Sequence, residues 1–178
     1  MLMLTEYELG NYIEQHFTST LFRLETLPYY AVDSDAHDYY RYLAGESEPS
    51  STWPDVIRRE VARGLYTYRV HVVRSPLTDY LRYEFEWGYV YNSLAGERIR
   101  IIDTAEHRKP DAVPDEDFWL IGDEHLLLMH YDEHGAFKGA SVGDTRLLPI
   151  YIAARDAAWS AGVDFNAYWR EHPQYHRG

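Results

Sequence analysis

Four basic side chains fall in two alternating runs, Arg69 with His71 and Arg98 with Arg100, and their spacing suits them to hold an anion. Residues 65–74 set Tyr66, Tyr68, Val70 and Val72 against Thr67, Arg69 and His71, the period-two pattern of a half-buried strand. Residues 98–103 repeat the pattern, with Ile99 and Ile101 opposite Arg98 and Arg100. If the two strands are neighbours, the four cations share the sheet face turned away from the valines and isoleucines. Arg74 stands just before a helix opening at Pro76 and Thr78, whose free N–H groups would add to a carboxylate or phosphate site. Tyr80, Arg82 and Glu84 lie along that helix. The candidate ligand-binding set is therefore Arg69, His71, Arg74, Tyr80, Arg82, Glu84, Arg98 and Arg100. The plainer reading is that these cations neutralise the protein's own acids, such as Glu84 or Glu97, across the sheet.

Other chemistries find less support. Gly139-Ala140-Ser141-Val142-Gly143 matches the G-x-S-x-G string of serine hydrolases, with Asp156 or Asp164 and then His172 following in order. That string requires a strand-to-helix elbow, whereas Ser141 falls at the end of a hairpin arm. His125, His130, Asp132 and His134 have metal-ligand chemistry, but His134 is placed at a turn, and His125 and His130 point to opposite faces of one strand, so no metal is expected. Asp33, Asp35, His37 and Asp38 read as a charged helix start. Asp115, Glu116 and Asp117 are adjacent and point apart in a strand. Cysteine is absent, which removes disulfides and thiolate-bound metals. No dinucleotide fingerprint or phosphate loop occurs, so no cofactor is expected and no catalytic residue is assigned.

The elements that must position the basic set follow from caps and periods. Thr5 with Glu8 forms a capping box, and Leu4 with Leu9 a hydrophobic staple, for a first helix carrying Leu9, Ile13 and Phe17. Residues 20–32 contain Pro28 and suit an extended or edge segment. Ser34 caps a second helix that turns Ala36, Tyr40 and Leu43 inward and stops at Gly45. Thr52 caps a third, with Pro54 in its first turn, Trp53, Val56, Ile57 and Val61 on its apolar face, and Gly64 closing it. A helix through residue 91 turns Leu77, Leu81 and Phe85 to the core. Residues 117–121, 125–131 and 136–142 form an antiparallel meander. Residues 149–161 and a helix capped by Asp164 close the chain. Leu43-Ala44-Gly45-Glu46 recurs as Leu94-Ala95-Gly96-Glu97, which reads as shared helix-stop chemistry with left-handed glycine. The expected fold is α+β: one domain over residues 1–178 with a mainly antiparallel sheet of about five or six strands, the hairpin meander towards its C-terminus, and helices at both ends of the chain packing on the sheet.

The net charge of −12 would repel phosphate backbones, so direct nucleic-acid binding is not expected. Charge is uneven: residues 1–64 carry 11 acidic and 5 basic side chains, residues 65–103 carry 5 of each, and residues 104–178 carry 13 and 7. The acidic flanks suit solubility or a basic partner. No run approaches the roughly 20 apolar residues of a membrane helix and no basic leader precedes one, so a cytoplasmic address without membrane contact is expected. Of the 17 tyrosines, Tyr66, Tyr68, Tyr80, Tyr83, Tyr89 and Tyr91 crowd the middle of the chain, where they can fill a core or furnish an interface, including that of a homodimer.

The ordered segments Arg23-Leu24-Glu25-Thr26, Arg69-Val70-His71-Val72-Val73, Pro76-Leu77-Thr78-Asp79-Tyr80-Leu81-Arg82-Tyr83-Glu84, Ala95-Gly96-Glu97, Asp117-Phe118-Trp119-Leu120 and Met129-His130-Tyr131-Asp132 with Gly135 resemble the actinobacterial domain of unknown function 6879 family. The resemblance covers roughly residues 21–169. His71 stands where that family usually carries arginine, which implies a weaker, pH-dependent anion contact. Members resemble small accessory proteins often encoded near helix-turn-helix regulators. The expected function is a non-enzymatic regulatory or protein-binding module, with a helix-turn-helix regulator as its candidate partner. The alternative is a small anionic-ligand-binding domain or enzyme with a basic site on the sheet face.

Overall fold

The computed structural model describes residues 3–177. Thr5 caps α1 (Glu6–His16) through the expected box, its hydroxyl accepting from the Glu8 amide while the Glu8 carboxylate accepts from the Thr5 amide. Short β1 (Met3–Leu4) precedes it. Next come β2 (Thr20–Glu25), α2 (Asp33–Leu43), α3 (Trp53–Ala62) and β3 (Tyr66–Val73). Thr78 caps α4 (Asp79–Tyr83), which passes through a π-helical turn (Glu84–Tyr89) into α5 (Val90–Ala95). The chain continues with β4 (Arg98–Asp103), β5 (Phe118–Ile121), β6 (His125–Tyr131) and β7 (Phe137–Val142), and closes with α6 (Leu148–Ala161), β8 (Val163–Asp164) and α7 (Phe165–Glu171). No described helix is long and apolar enough to cross a membrane.

The fold is α+β, and among the described residues its sheet has eight strands in the order β1-β7-β6-β5-β2-β3-β4-β8. That exceeds the expected five or six, because two-residue edge strands β1 and β8 are too short to carry a periodic signal. The meander β5–β6–β7 is antiparallel as expected. Two pairs, β2–β3 and β3–β4, are parallel. Parallel neighbours need long crossovers; α2 with α3 supplies one, and α4 through α5 the other. Their helices pack on the same side of the sheet, so β3 is central and covered on both faces rather than half-buried. β2 is likewise interior, between β5 and β3, because it ends at Glu25 and leaves Pro28 in the following loop.

Two helix faces differ from the periodic reading. Tyr40 and Leu43 of α2 are 68% and 50% exposed, while Asp38 and Tyr42 are buried. Asp38 earns its place by accepting from the Ser50 and Ser51 amides, the Ser50 hydroxyl and Arg41, which ties the polar loop to the helix. Val32 occupies the N-cap position of α2, and the side chain of Ser34, the expected cap, lies outside the described residues. In α3 only Ile57 is buried; Trp53 and Val61 stay exposed, and the Thr52 side chain makes no capping bond. Gly45 and Gly96 both hold left-handed backbone, at φ +83° and +117°, in keeping with a shared stop.

One sheet face is covered by α6 over an apolar cluster of Phe22, Leu24, Val70, Ile102, Phe118 and Leu120 with Ala154 and Ala158. The other is covered by α1 at the meander end and by α2 through α5 with α7 over the parallel strands.

Candidate functional site

The register of β2 on β3 pairs Arg23 with Arg69 and Glu25 with His71, and paired residues of a sheet share a face. These four side chains therefore point together into the layer under α2–α5. Arg69 and His71 are 5% and 0% exposed. From above, the π-helical turn lowers Glu84 at its first position and Tyr89 at its last, and Glu97 reaches in just ahead of β4. Such turns occur frequently at functional sites.

Arg69 lies between two carboxylates: its Nε donates to Glu97 Oε1 at 2.7 Å and its Nη1 to Glu25 at 3.1 and 3.2 Å. Its guanidinium also stands 5.2 Å from the Tyr89 ring centre. His71 Nε2 is 3.0 Å from the Leu27 carbonyl, which can only accept, so this nitrogen carries a hydrogen. Nδ1 then faces the Tyr89 hydroxyl at 2.8 Å, and that hydroxyl donates to Glu25 Oε2 at 2.7 Å. Glu84 Oε2 stands 3.5 Å from Nδ1, buried and with no hydrogen-bond partner.

Burial sets the charge states. It works to raise Glu25, but Arg69 and His71 outweigh it and hold the carboxyl at about 2. Burial lowers His71, with Glu25 opposing. Glu84 is pushed well above the carboxylate range by burial first and by the Glu25 charge second. The centre thus sets an ionised acid, Glu25, beside a carboxyl that holds its proton more tightly, Glu84, and an imidazole whose charged form burial disfavours. Along the same edge, Asp117 accepts from the Tyr30 hydroxyl at 2.6 Å and from the Thr26 hydroxyl and amide at 2.7 and 2.8 Å. Burial and Glu25 raise it to about 6 against those bonds.

Tyr30 links this centre to the surface, its ring 6.1 Å from that of His71. Beyond it lies a cleft of about 160 Å³ walled by Tyr29, Tyr30, Tyr39, Tyr40 and Tyr80, with Asp33 and Asp35 at the start of α2. Tyr29 and Tyr39 meet the Tyr80 ring at 5.0 and 5.5 Å, both edge-on. A larger hollow of about 460 Å³ opens on the opposite side by Tyr66, Tyr68 and Trp159, but its cation Arg155 is already bound to Asp123 and Asp156.

The structure divides the eight residues singled out by spacing. Arg69, His71, Tyr80 and Glu84 are on the side of the buried centre. Arg98 and Arg100 are not: they pair with Tyr68 and Val70, so they occupy the opposite face, and the single basic stripe is corrected to two separate groups. The reason is the parallel register, which sets Ile99 and Ile101 beside Arg69 and His71. Arg98 stacks over Tyr66 at 5.2 Å, and Arg100 donates to the Trp159 carbonyl at 2.6 Å while its guanidinium covers that ring at 4.4 Å. Arg82 donates to the Tyr175 carbonyl, and Arg74 is exposed beyond the end of β3. Arg69 is neutralised by the protein's own Glu97, as the plainer reading had it. Sequence spacing missed Arg23, Glu25, Tyr89 and Asp117. The Arg23-x-Glu25 alternation, equal in period to Arg69-x-His71, was the available signal for the first two.

A family model described as Domain of unknown function (DUF6879) matches residues 8–170. Comparison with the curated proteins finds no match. Among solved structures, the chain is similar to the crystal structure of a phospholipase D family member, Nuc from Salmonella typhimurium, with a TM-score of 0.49 and 8% identity over 88% of this chain and 90% of that one.

Proposed function

The chain belongs to the DUF6879 family, and we propose that it is a binding domain whose tyrosine-lined cleft takes a cationic side chain of a basic protein partner. The observation that carries this reading is the pairing of five tyrosine rings with Asp33 and Asp35 around one cleft. Aromatic faces carry negative quadrupole density and attract ammonium and guanidinium groups, the more so when water is excluded. Carboxylates at the rim add charge attraction, and the net charge of −12 draws a basic surface from a distance. At about 160 Å³ the cleft matches an ammonium or guanidinium head, below the roughly 300–1,000 Å³ of sites for drug-sized ligands. An anion is the poorer fit, since Arg69 is committed to carboxylates while Arg98 and Arg100 are stacked on the other face. If members are encoded near helix-turn-helix regulators, as the resemblance implies, such a basic DNA-binding protein is the candidate partner.

The test is titration with a lysine- and arginine-rich peptide, monitored through tyrosine ring resonances. Shifts should concentrate at Tyr29, Tyr39, Tyr40 and Tyr80 and weaken as salt rises. Tyr29→Ala and Tyr40→Ala, at positions 41% and 68% exposed, should abolish them without lowering the melting temperature. Equal binding by both variants would refute the proposal. Co-purification with a neighbouring regulator tests the partner separately.

A further inference from the structure

Beneath the tyrosine cleft, and independent of it, we infer that Glu25, His71 and Glu84 form a binding site for one divalent first-row transition metal ion of the zinc class. One nitrogen and two carboxylate oxygens from these residues all lie within 4.8 Å of one another. His71 Nδ1 is 3.6 Å from Glu25 Oε2 and 3.5 Å from Glu84 Oε2. Those spacings are long for hydrogen bonds. They are close to the ligand–ligand edges of a tetrahedron, roughly 3.3–3.6 Å when each ligand stands about 2.0–2.2 Å from the ion.

The surroundings are those of a metal-binding histidine. Its remote nitrogen donates to the Leu27 carbonyl, which fixes the ring and turns the Nδ1 lone pair inward, and Arg69 holds Glu25 in place. The hydrogen inventory points the same way. His71 Nδ1 and Glu25 Oε2 share the single hydrogen of the Tyr89 hydroxyl, and Glu84 Oε2 beside them is left buried without a partner. A dication satisfies all three at once, while the Tyr89 hydroxyl remains a hydrogen-bond donor to Glu25. The π-helical turn that begins at Glu84 and ends at Tyr89 brings both residues to this point. A mixed nitrogen and oxygen donor set favours zinc, manganese or iron over magnesium and calcium, which prefer all-oxygen shells. Arg69 opposes a cation, so the site is weaker than one built from thiolates or three histidines. Side-chain exposures of 12% for Glu25 and 15% for Glu84 leave a way in.

The test is equilibrium dialysis of chelator-stripped protein against Zn²⁺, with Co²⁺ as a visible-absorbance reporter and Mg²⁺ as a competitor. One equivalent should bind, resist excess Mg²⁺, and shift the His71 ring nitrogens in ¹⁵N spectra of the unaltered protein. Glu84→Gln, which keeps the side-chain volume, should weaken binding by at least about tenfold. The rings of His16 and His125 lie 4.1 Å apart and offer a rival surface site, which His125→Gln removes. Retention of Zn²⁺ by His125→Gln supports the inference. Loss of Zn²⁺ in that variant, ring shifts confined to His16 and His125, or no Zn²⁺ bound at all would each overturn it, whether or not Glu84→Gln folds.

Discussion

The same strands, β2 and β3, bury hydrocarbon on one face and charge on the other. Under α6 the contacts are Phe22, Leu24 and Val70 against Ala154 and Ala158. Under the crossover helices the alternate residues are Arg23, Glu25, Arg69 and His71, capped by Glu84, Tyr89 and Glu97. The apolar face needs only volume and is stabilised in proportion to area removed from water. The charged face gains little stability for its desolvation cost, because ion pairs in an interior roughly break even against well-packed apolar groups. An orphaned acceptor such as Glu84 Oε2 is a further cost. A fold that could have filled both faces with aliphatic side chains carries this network on one of them, and that asymmetry marks where function is to be sought.

The difference can be broken from either side. Arg69→Ala should have the largest effect, about 4 kcal/mol in denaturant unfolding, since Glu25 and Glu97 would remain buried and uncompensated. The neutral double variant Arg69→Met with Glu97→Gln should be less destabilised than that single change. A cost below about 1 kcal/mol for Arg69→Ala would mean that the network is solvated and the contrast false. On the apolar face Leu24→Ala should cost about 3 kcal/mol through the cavity it leaves, with no dependence on salt or on pH between 5 and 8. Thr78→Ala removes the N-cap of the helix that carries Glu84, together with its bond to the Pro28 carbonyl, and should cost about 1 kcal/mol. A larger loss there would show the π-helical turn to be held mainly from its start.

The smallest effect lies outside both faces. Burial acts to lower His172, but the Glu106 carboxylate at 2.6 Å and the Tyr168 carbonyl at 2.7 Å outweigh it and raise the imidazole above its ordinary value. Its folded form therefore binds the proton more tightly than the unfolded chain. The resulting stability is fully present below about pH 6.5 and is lost as pH rises through the raised value. Glu106→Gln should remove that dependence at a cost under about 1 kcal/mol below pH 6. An unchanged pH profile in the variant would assign the shift to another group.

Much of the local structure is legible in the chain because it is set by neighbours in sequence. The Thr5–Glu8 box, the Thr78 and Asp164 caps and the left-handed glycines at 45 and 96 act within a few residues. Strands β3 and β4 declare themselves by alternation, and the meander by apolar runs between turn residues. Alternation tells which residues share a face of one strand, but not which face of the next strand they meet. Alternation by itself therefore groups Arg69 with Arg98, whereas the parallel register, one residue out of phase, puts them on opposite sides.

Sequence alone thus determined the α+β class, the helix starts at Thr5, Thr78 and Asp164, and the candidacy of Arg69, His71, Tyr80 and Glu84. Tertiary structure decided that β2 and β3 are interior strands, that Arg69 is matched to Glu25 and Glu97, and that His71 faces Glu25 and Glu84. The physical reason is range. Caps and periods are local and written in consecutive residues, whereas a buried charge is defined by partners 18 to 64 positions away that only strand register and helix crossovers bring within hydrogen-bond distance.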